Sequence, residues 1–372
     1  VYRVLDFTRV LAGPWATQVL GDQGFDILKV EPPGGDETRA FLPLRDGESV
    51  YFACTNRNKR SIVLDLKTVD GVALARRLAA TVDIVIENFR PGVMDRLGLG
   101  DAVLRAENPG LINVSISAFG AGTPDDASWA DRAGYDLVVQ SVGGIAALTG
   151  DPPQKAGPSI ADLASAQVAV QGILFALLER ARTGVGKRIE LRMLDAAHHL
   201  LAFYASAWLN AGRPPPPPSN RHPSIAPYNL YRCADGWLAV ACANDVLWER
   251  LRGVLDLPAR AEWRDIRGRV ADRERLDAAI EQVLGGGTTA AWEARLAAGG
   301  IPCGPALSVE ASLAHPLARQ VQVGPWTFPA PPLPASTLRP PPRLGEHTDV
   351  ILGDLGVSEA EISDLRARGV IG

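Results

Sequence analysis

The stretch Pro158–Leu191, PSIADLASAQVAVQGILFALLERARTGVGKRIEL, carries one residue out of keeping with its neighbours. The carboxylate Asp162 opens a run that is otherwise almost entirely apolar or small. Two chemistries suit an aspartate there. As a helix N-cap it would accept hydrogen bonds from the unpaired N–H groups of the first turn. As a nucleophile it would be a carboxylate kept ionised by backbone N–H groups and the helix dipole. Ala161, Ala164, Ser165 and Ala166 are small enough to admit a ligand beside it. The residue types alone leave both readings open. Asparagine caps about as well as aspartate but cannot act as a nucleophile, so that substitution separates them.

Other candidates for chemistry are weaker. Of five histidines, His198 and His199 lie on a helix-like run where a structural role fits. His222 lies in the polar loop SNRHPSIAPY, and His347, in GEHTD, has carboxylates nearby and suits a turn cap. The four cysteines (Cys54, Cys233, Cys242, Cys303) show neither a C-x-x-C pair nor His–Cys ligand spacing, so neither a zinc site nor a disulfide framework is expected. TGVGKRI imitates part of a phosphate loop, but Ala181 stands where glycine is needed and Arg188 where Ser or Thr is needed. No G-x-G-x-x-G follows the first strand, which removes the usual mark of a dinucleotide site, and no G-x-S-x-G elbow exists.

The elements that must position Asp162 follow from patterning. A chain of 372 residues suggests two domains, and 47% hydrophobic with 22% charged residues is the balance of a soluble globular protein. A net charge of −4 argues against a nucleic-acid partner, while local Arg and Lys clusters still permit an anionic ligand. YRVLDF and FDILKVE flank the helix-like GPWATQVLGDQG, GVALARRLAATV leads into DIVIENF, and DAVLRAENPG leads into LINVSIS. This alternation predicts a doubly wound parallel sheet covered on both faces, over residues 1–209. After the stiff run Pro214–Pro218, two strands joined at Ala234–Asp235–Gly236 and several helices predict a smaller α+β domain, residues 210–314 including the linker. Residues 315–372 form a C-terminal segment expected to return to the large domain. The opening VYRVLDFTRV has no signal-peptide anatomy, and the apolar run Leu163–Leu178, interrupted by Ser165, Gln167 and Gln171, is short for a membrane span. A cytoplasmic enzyme without a membrane partner is the expectation.

Taken in order, the blocks VLDFTRVLAGPWATQVLGDQGFDILKVEPPGGDETR, NRNKRSIVLDLK, ENFRPGVMDRLGLG, AGYDLVVQSVGG, SIADLASAQ, GIPCGPALSV and LGEHTD resemble the class III coenzyme A transferases, the CaiB/BaiF family, over nearly the whole chain. The resemblance implies a Rossmann-like coenzyme A-binding domain and an interlocked homodimer in which each chain threads through the other. It places the nucleophile on Asp162, with Tyr135 close to it. It places the coenzyme along Leu11 and Ala12, Leu64 to Lys67, Asn88, Phe89 and Arg90, Arg96, and Ala133 to Asp136. Lys59, Arg60, Lys67, Arg90 and Arg96 fall in these blocks and are the expected local cations for its phosphates.

The implied substrates are an acyl-CoA donor and a small carboxylic acid acceptor, with no tightly bound cofactor and no metal. Members acting on very small acids carry a glycine-run loop over the active site. SNRHPSIAPY stands in its place, so a different acid is expected. Two other functions are compatible with the fold. A 2-methylacyl-CoA racemase would need Gly-His-Asp where this chain has Gly134–Tyr135–Asp136, and tyrosine, titrating near 10, is a poor substitute for imidazole. A non-catalytic acyl-CoA binding protein would be expected to lack the nucleophile.

Overall fold

The computed structural model describes residues 1–121, 127–130 and 132–372. Six strands, β1 (Arg3–Asp6), β2 (Asp26–Glu31), β3 (Lys59–Val63), β4 (Ile84–Glu87), β5 (Ile112–Ser117) and β6 (Arg188–Arg192), form one sheet in the order β3-β2-β1-β4-β5-β6. Every pairing is parallel. This 3-2-1-4-5-6 order is the doubly wound arrangement, and its direction of winding reverses between β1 and β4.

Parallel strands buried on both faces need apolar residues on both, and alternation supplies them. Val4 points into a core with Ile27, Ile84, Ile86 and Val114; the next residue, Leu5, points into a second core with Leu28, Ile62 and Val85. The helices of this unit are α1 (Ala12–Asp22), α2 (Val69–Ala79), α3 (Asp101–Glu107), α4 (Asp136–Val142), α5 (Ile160–Thr183) and α6 (Met193–Leu200). Helix α7 (Phe203–Ala211) follows. The first core lies under α1 and α5, where Ala161, Ala166, Ala169 and Ala176 are buried and allow close approach. The second lies under α2 and includes Ile351, Leu352, Ile362 and Leu365 from the C-terminal helices. Helix α5 is longer than the apolar run predicted: its 24 residues are enough to cross a membrane by length and composition. One face of it nevertheless packs in the core beside α1 and α6.

The chain divides into two compact units. Val1–Ala147, Pro153–Ala205 and Gln320–Gly372 form the first; Leu148–Pro152 and Ser206–Arg319 form the second. In the second, β7 (Tyr228–Arg232), β8 (Trp237–Ala241) and β9 (Cys303–Pro305) make an antiparallel sheet. The β7–β8 turn falls at the predicted place, closed by the Cys233 N–H donating to the Gly236 carbonyl. Helices α8 (Asp245–Val254), α9 (Arg273–Leu284) and α10 (Thr289–Ala298) cover that sheet around Tyr231, Leu238, Trp248 and Ile280.

Candidate active site

In a doubly wound sheet, ligands settle beyond the carboxyl ends of the strands where the winding reverses. A cavity of about 360 Å³ lies there, walled by the loops after β1, β4 and β5, by Arg132–Tyr135 and by Asp162. The β1 loop is tightly built. A side chain on Gly13 would stand 2.3 Å from the Thr8 Cβ, so only glycine lets α1 begin so soon after the strand. Val10, in the cavity wall, has φ of 68°, a strained geometry for a β-branched residue. The N–H groups of Leu11 and Ala12 find no acceptor among the described residues. They are the orphan donors of a helix start and suit an anionic or developing-oxyanion group. Gly134 packs against the β5 loop, where an added Cβ would lie 2.5 Å from the Ala118 Cβ.

Asp162 is the third residue of α5, not its cap. The residue before the helix is Ser159, whose side chain caps nothing. The capping acceptor comes from α4: Asp136 Oδ1 accepts from the Ala161 N–H at 2.9 Å and from the Asp162 N–H at 3.4 Å, while Asp136 Oδ2 accepts from Gln140 Nε2 at 2.6 Å. Both remaining chemistries of the Asp162 side chain change as a result. It caps nothing, and no N–H group of its own helix accepts the task of holding it ionised. Burial first, and the Asp136 charge second, push its carboxyl up to about 7. A carboxylate with that pKa is more basic, and therefore a better nucleophile when ionised, than an exposed one. The charges of Asp162 and Asp136 also act on the Tyr51 phenol, which burial and these neighbours push up to about 12, so it remains a neutral hydrogen-bond donor.

Of the residues nominated from sequence, Leu11, Ala12, Asn88, Phe89, Arg90, Ala133, Tyr135 and Asp162 all line this cavity. Arg96 lines a neighbouring cavity of about 630 Å³ that shares Arg90, Pro91, Ser117 and Gly120 with the first. Leu64 and Lys67 line neither: Leu64 is buried in the core and Lys67 is exposed on the loop before α2. Two of the expected phosphate-binding cations are engaged elsewhere. Lys59 is fully buried and donates to Asp6, Asn56 and the Pro14 carbonyl, with burial drawing its ammonium down to about 8 in spite of Asp6. Arg60 makes a two-pronged pair with Asp26. Arg90 and Arg96, which enter no ion pair among the described residues, stand in the cavity walls.

The wall also contains residues that the sequence reading passed over, among them Arg9, Val10, Glu37, Arg132 and Met193. Arg9 and Val10 adjoin nominated positions in the block VLDFTRVLAG and were within reach of it. Met193 opens α6, distant in sequence, and carried no signal. None of the five histidines lines the cavity. His198 and His199 lie in α6, His347 accepts from the Ser61 N–H, and His222 belongs to the second unit, where its carbonyl accepts from Arg273. Among the described residues no cluster of His, Cys, Asp or Glu has the make-up of a metal site.

The Asp162 carboxyl, Leu11 and Ala12 with their unpaired amides, and Arg9, Arg90 and Arg132 line one cavity at the winding reversal of a doubly wound fold. The profile of CoA-transferase family III matches residues 2–348, and the chain belongs to that family. It is an enzyme that transfers coenzyme A. It is similar to the succinate–glutarate CoA-transferase of Agrobacterium fabrum, with 38% identity covering 96% of this chain and 95% of the relative. It is also similar to the acetyl-CoA:oxalate CoA-transferase of Acetobacter aceti, with 35% identity covering 96% of each. Among solved structures it resembles a CaiB/BaiF family protein from Brucella suis, with a TM-score of 0.84 and 37% identity covering 95% of this chain and 98% of the other.

Proposed function

We propose that this enzyme exchanges coenzyme A between carboxylic acids by covalent chemistry on Asp162, with a dicarboxylic acyl-CoA such as succinyl-CoA as donor. The observation that carries the reading is the Asp162 carboxyl itself: it lines the cavity, serves no capping role and has its pKa raised to about 7. The Asp162 carboxylate attacks the donor's thioester carbonyl, forming a mixed anhydride and expelling CoA thiolate. The thiolate attacks the aspartyl carbonyl, releasing the donor acid and leaving an aspartyl-CoA thioester. The acceptor carboxylate attacks that thioester and expels the thiolate again. The thiolate then attacks the acceptor's acyl carbonyl, giving the new acyl-CoA and free Asp162. One thioester replaces another, so the exchange needs no external energy source.

The coenzyme would run from the first cavity to the second, with its phosphates toward Arg90 and Arg96 and its thioester toward Tyr135 and Asp162. Relatives named for succinate, glutarate and oxalate support a substrate with a second carboxylate. So do Arg9 and Arg132, which line the cavity without an ion pair among the described residues. A homodimer, interlocked as the family resemblance implies, would cover apolar surface that this chain leaves open. Val168, Leu174, Phe175 and Leu178 of α5 are exposed, and α7 buries no residue although it carries Phe203, Trp208 and Leu209. A cytoplasmic setting without membrane or nucleic acid completes the reading.

Intact-mass spectrometry with succinyl-CoA and no acceptor tests the covalent step. The expected result is a CoA-sized adduct, sensitive to hydroxylamine and mapped to the peptide containing SIADLASAQ. Turnover at a wild-type rate by Asp162→Asn would refute it.

A further inference from the structure

Val10 holds a backbone conformation that a β-branched residue avoids, and its loop is gripped from three strands at once. From β2, Lys29 Nζ donates to the Thr8 carbonyl at 2.9 Å. From β3, Lys59 Nζ donates to the Pro14 carbonyl at 3.0 Å. At the end of β4, the Asn88 carboxamide bonds the Arg9 backbone twice: Oδ1 accepts from the Arg9 N–H at 2.8 Å, and Nδ2 donates to the Arg9 carbonyl at 2.7 Å. The lysines are themselves locked, Lys29 to Asp36 and Lys59 to Asp6, and all four side chains are 0% exposed. Asp6 also accepts from the Thr8 N–H and from Thr17, tying the first residue of the loop to α1.

Burying two ammonium groups is costly unless each gains a specific set of partners. Here part of that set is the pair of carbonyls that bracket residues 9–13. We propose that Asn88, Lys29 and Lys59 are positioning residues: they hold the Arg9–Gly13 loop in its strained form, so that the unpaired Leu11 and Ala12 N–H groups face the ligand before it arrives. Asn88 then acts on the coenzyme through the Arg9 backbone rather than by touching it. Lys59 of NRNKRSI and Lys29 of FDILKVE serve this clamp, not phosphate binding.

The inference rests on the coenzyme A reading above, and the test keeps the two apart. Calorimetry of CoA on the wild-type protein tests that reading. In Asn88→Ala the loop is released to ordinary negative φ, and the competent fraction drops by the population penalty of a left-handed β-branched residue. The CoA Kd should rise roughly 5- to 30-fold. Glycine occupies positive φ as readily as negative, so the same substitution made in a Val10→Gly background should raise Kd by no more than about threefold. An equal loss in both backgrounds would mean that Asn88 contacts the ligand directly and would overturn the proposal, as would no loss in either. Hydrogen exchange in the ligand-free proteins reads the clamp without CoA. The Trp15 amide, which donates to the Leu11 carbonyl at 2.8 Å and depends on the loop's conformation, should exchange about tenfold faster in Asn88→Ala while the amides of β1 and β4 keep their protection. Unchanged loop exchange would overturn the clamp even if the wild-type protein bound no CoA.

Discussion

Replacing Asp162 by asparagine should stabilise this protein while ending its activity. Burial and Asp136 lift the carboxyl from its ordinary 3.8 to about 7. The folded state therefore keeps a proton that the unfolded chain has lost between about pH 4 and 7. At about 1.36 kcal/mol per unit, forcing that group to ionise costs the fold on the order of 4 kcal/mol at pH 8. Partial contact with solvent brings the figure nearer 2 kcal/mol. The sign is that of an acid with a raised folded pKa: its contribution is fully present below pH 4 and is lost as pH rises through 7. Asparagine never ionises, and the carboxylate accepts no hydrogen bond from the described chain whose loss would offset the gain. Asp162→Asn should therefore melt about 4–8 °C above wild type at pH 8, with the difference closing near pH 4. Thermal unfolding of both proteins across that range, with CoA transfer measured on the same samples, checks it. A variant equal to or less stable than wild type at pH 8, or a difference that does not change with pH, would refute the electrostatic account of the nucleophile.

Asp136→Asn keeps an acceptor for the Ala161 N–H but removes the neighbouring charge, so the acid limb of kcat/KM, expected near pH 7 in wild type, should move toward lower pH while α5 remains formed by circular dichroism. Arg96→Ala should weaken CoA binding by about 1.5–3 kcal/mol, the scale of a charge-assisted contact to phosphate, with an effect that shrinks as salt rises; calorimetry at two ionic strengths measures both. With no histidine in the cavity wall, a 2-methylacyl-CoA incubated with the enzyme in deuterated water should gain no α-deuterium on the timescale of transfer, read by mass spectrometry.

Much of the architecture was legible because its signals are local. Strand-length apolar runs alternating with helical periods predict a doubly wound sheet, and the loop residues Leu11, Ala12, Asn88, Phe89 and Arg90 stand directly after strands, where such folds place ligands. The block SIADLASAQ marked Asp162 through its resemblance to the family, the local pattern leaving cap and nucleophile both open. What the sequence by itself left undetermined was the electrical state of each group. A lysine in a basic block reads as a surface cation, yet Lys59 is sealed against Asp6, which lies 53 positions away. Aspartate at a helix start reads as its cap, yet Asp136, 25 residues upstream of Ala161, takes that role and leaves Asp162 to desolvation and like charge. Leu64 and Lys67 follow β3 as the loop rule requires, but β3 is the edge strand, remote from the winding reversal, and neither lines the cavity. Ionisation, pairing and facing are set by neighbours that only the fold brings within a few ångströms, since electrostatic and hydrogen-bond energies depend on distance and burial and not on position along the chain.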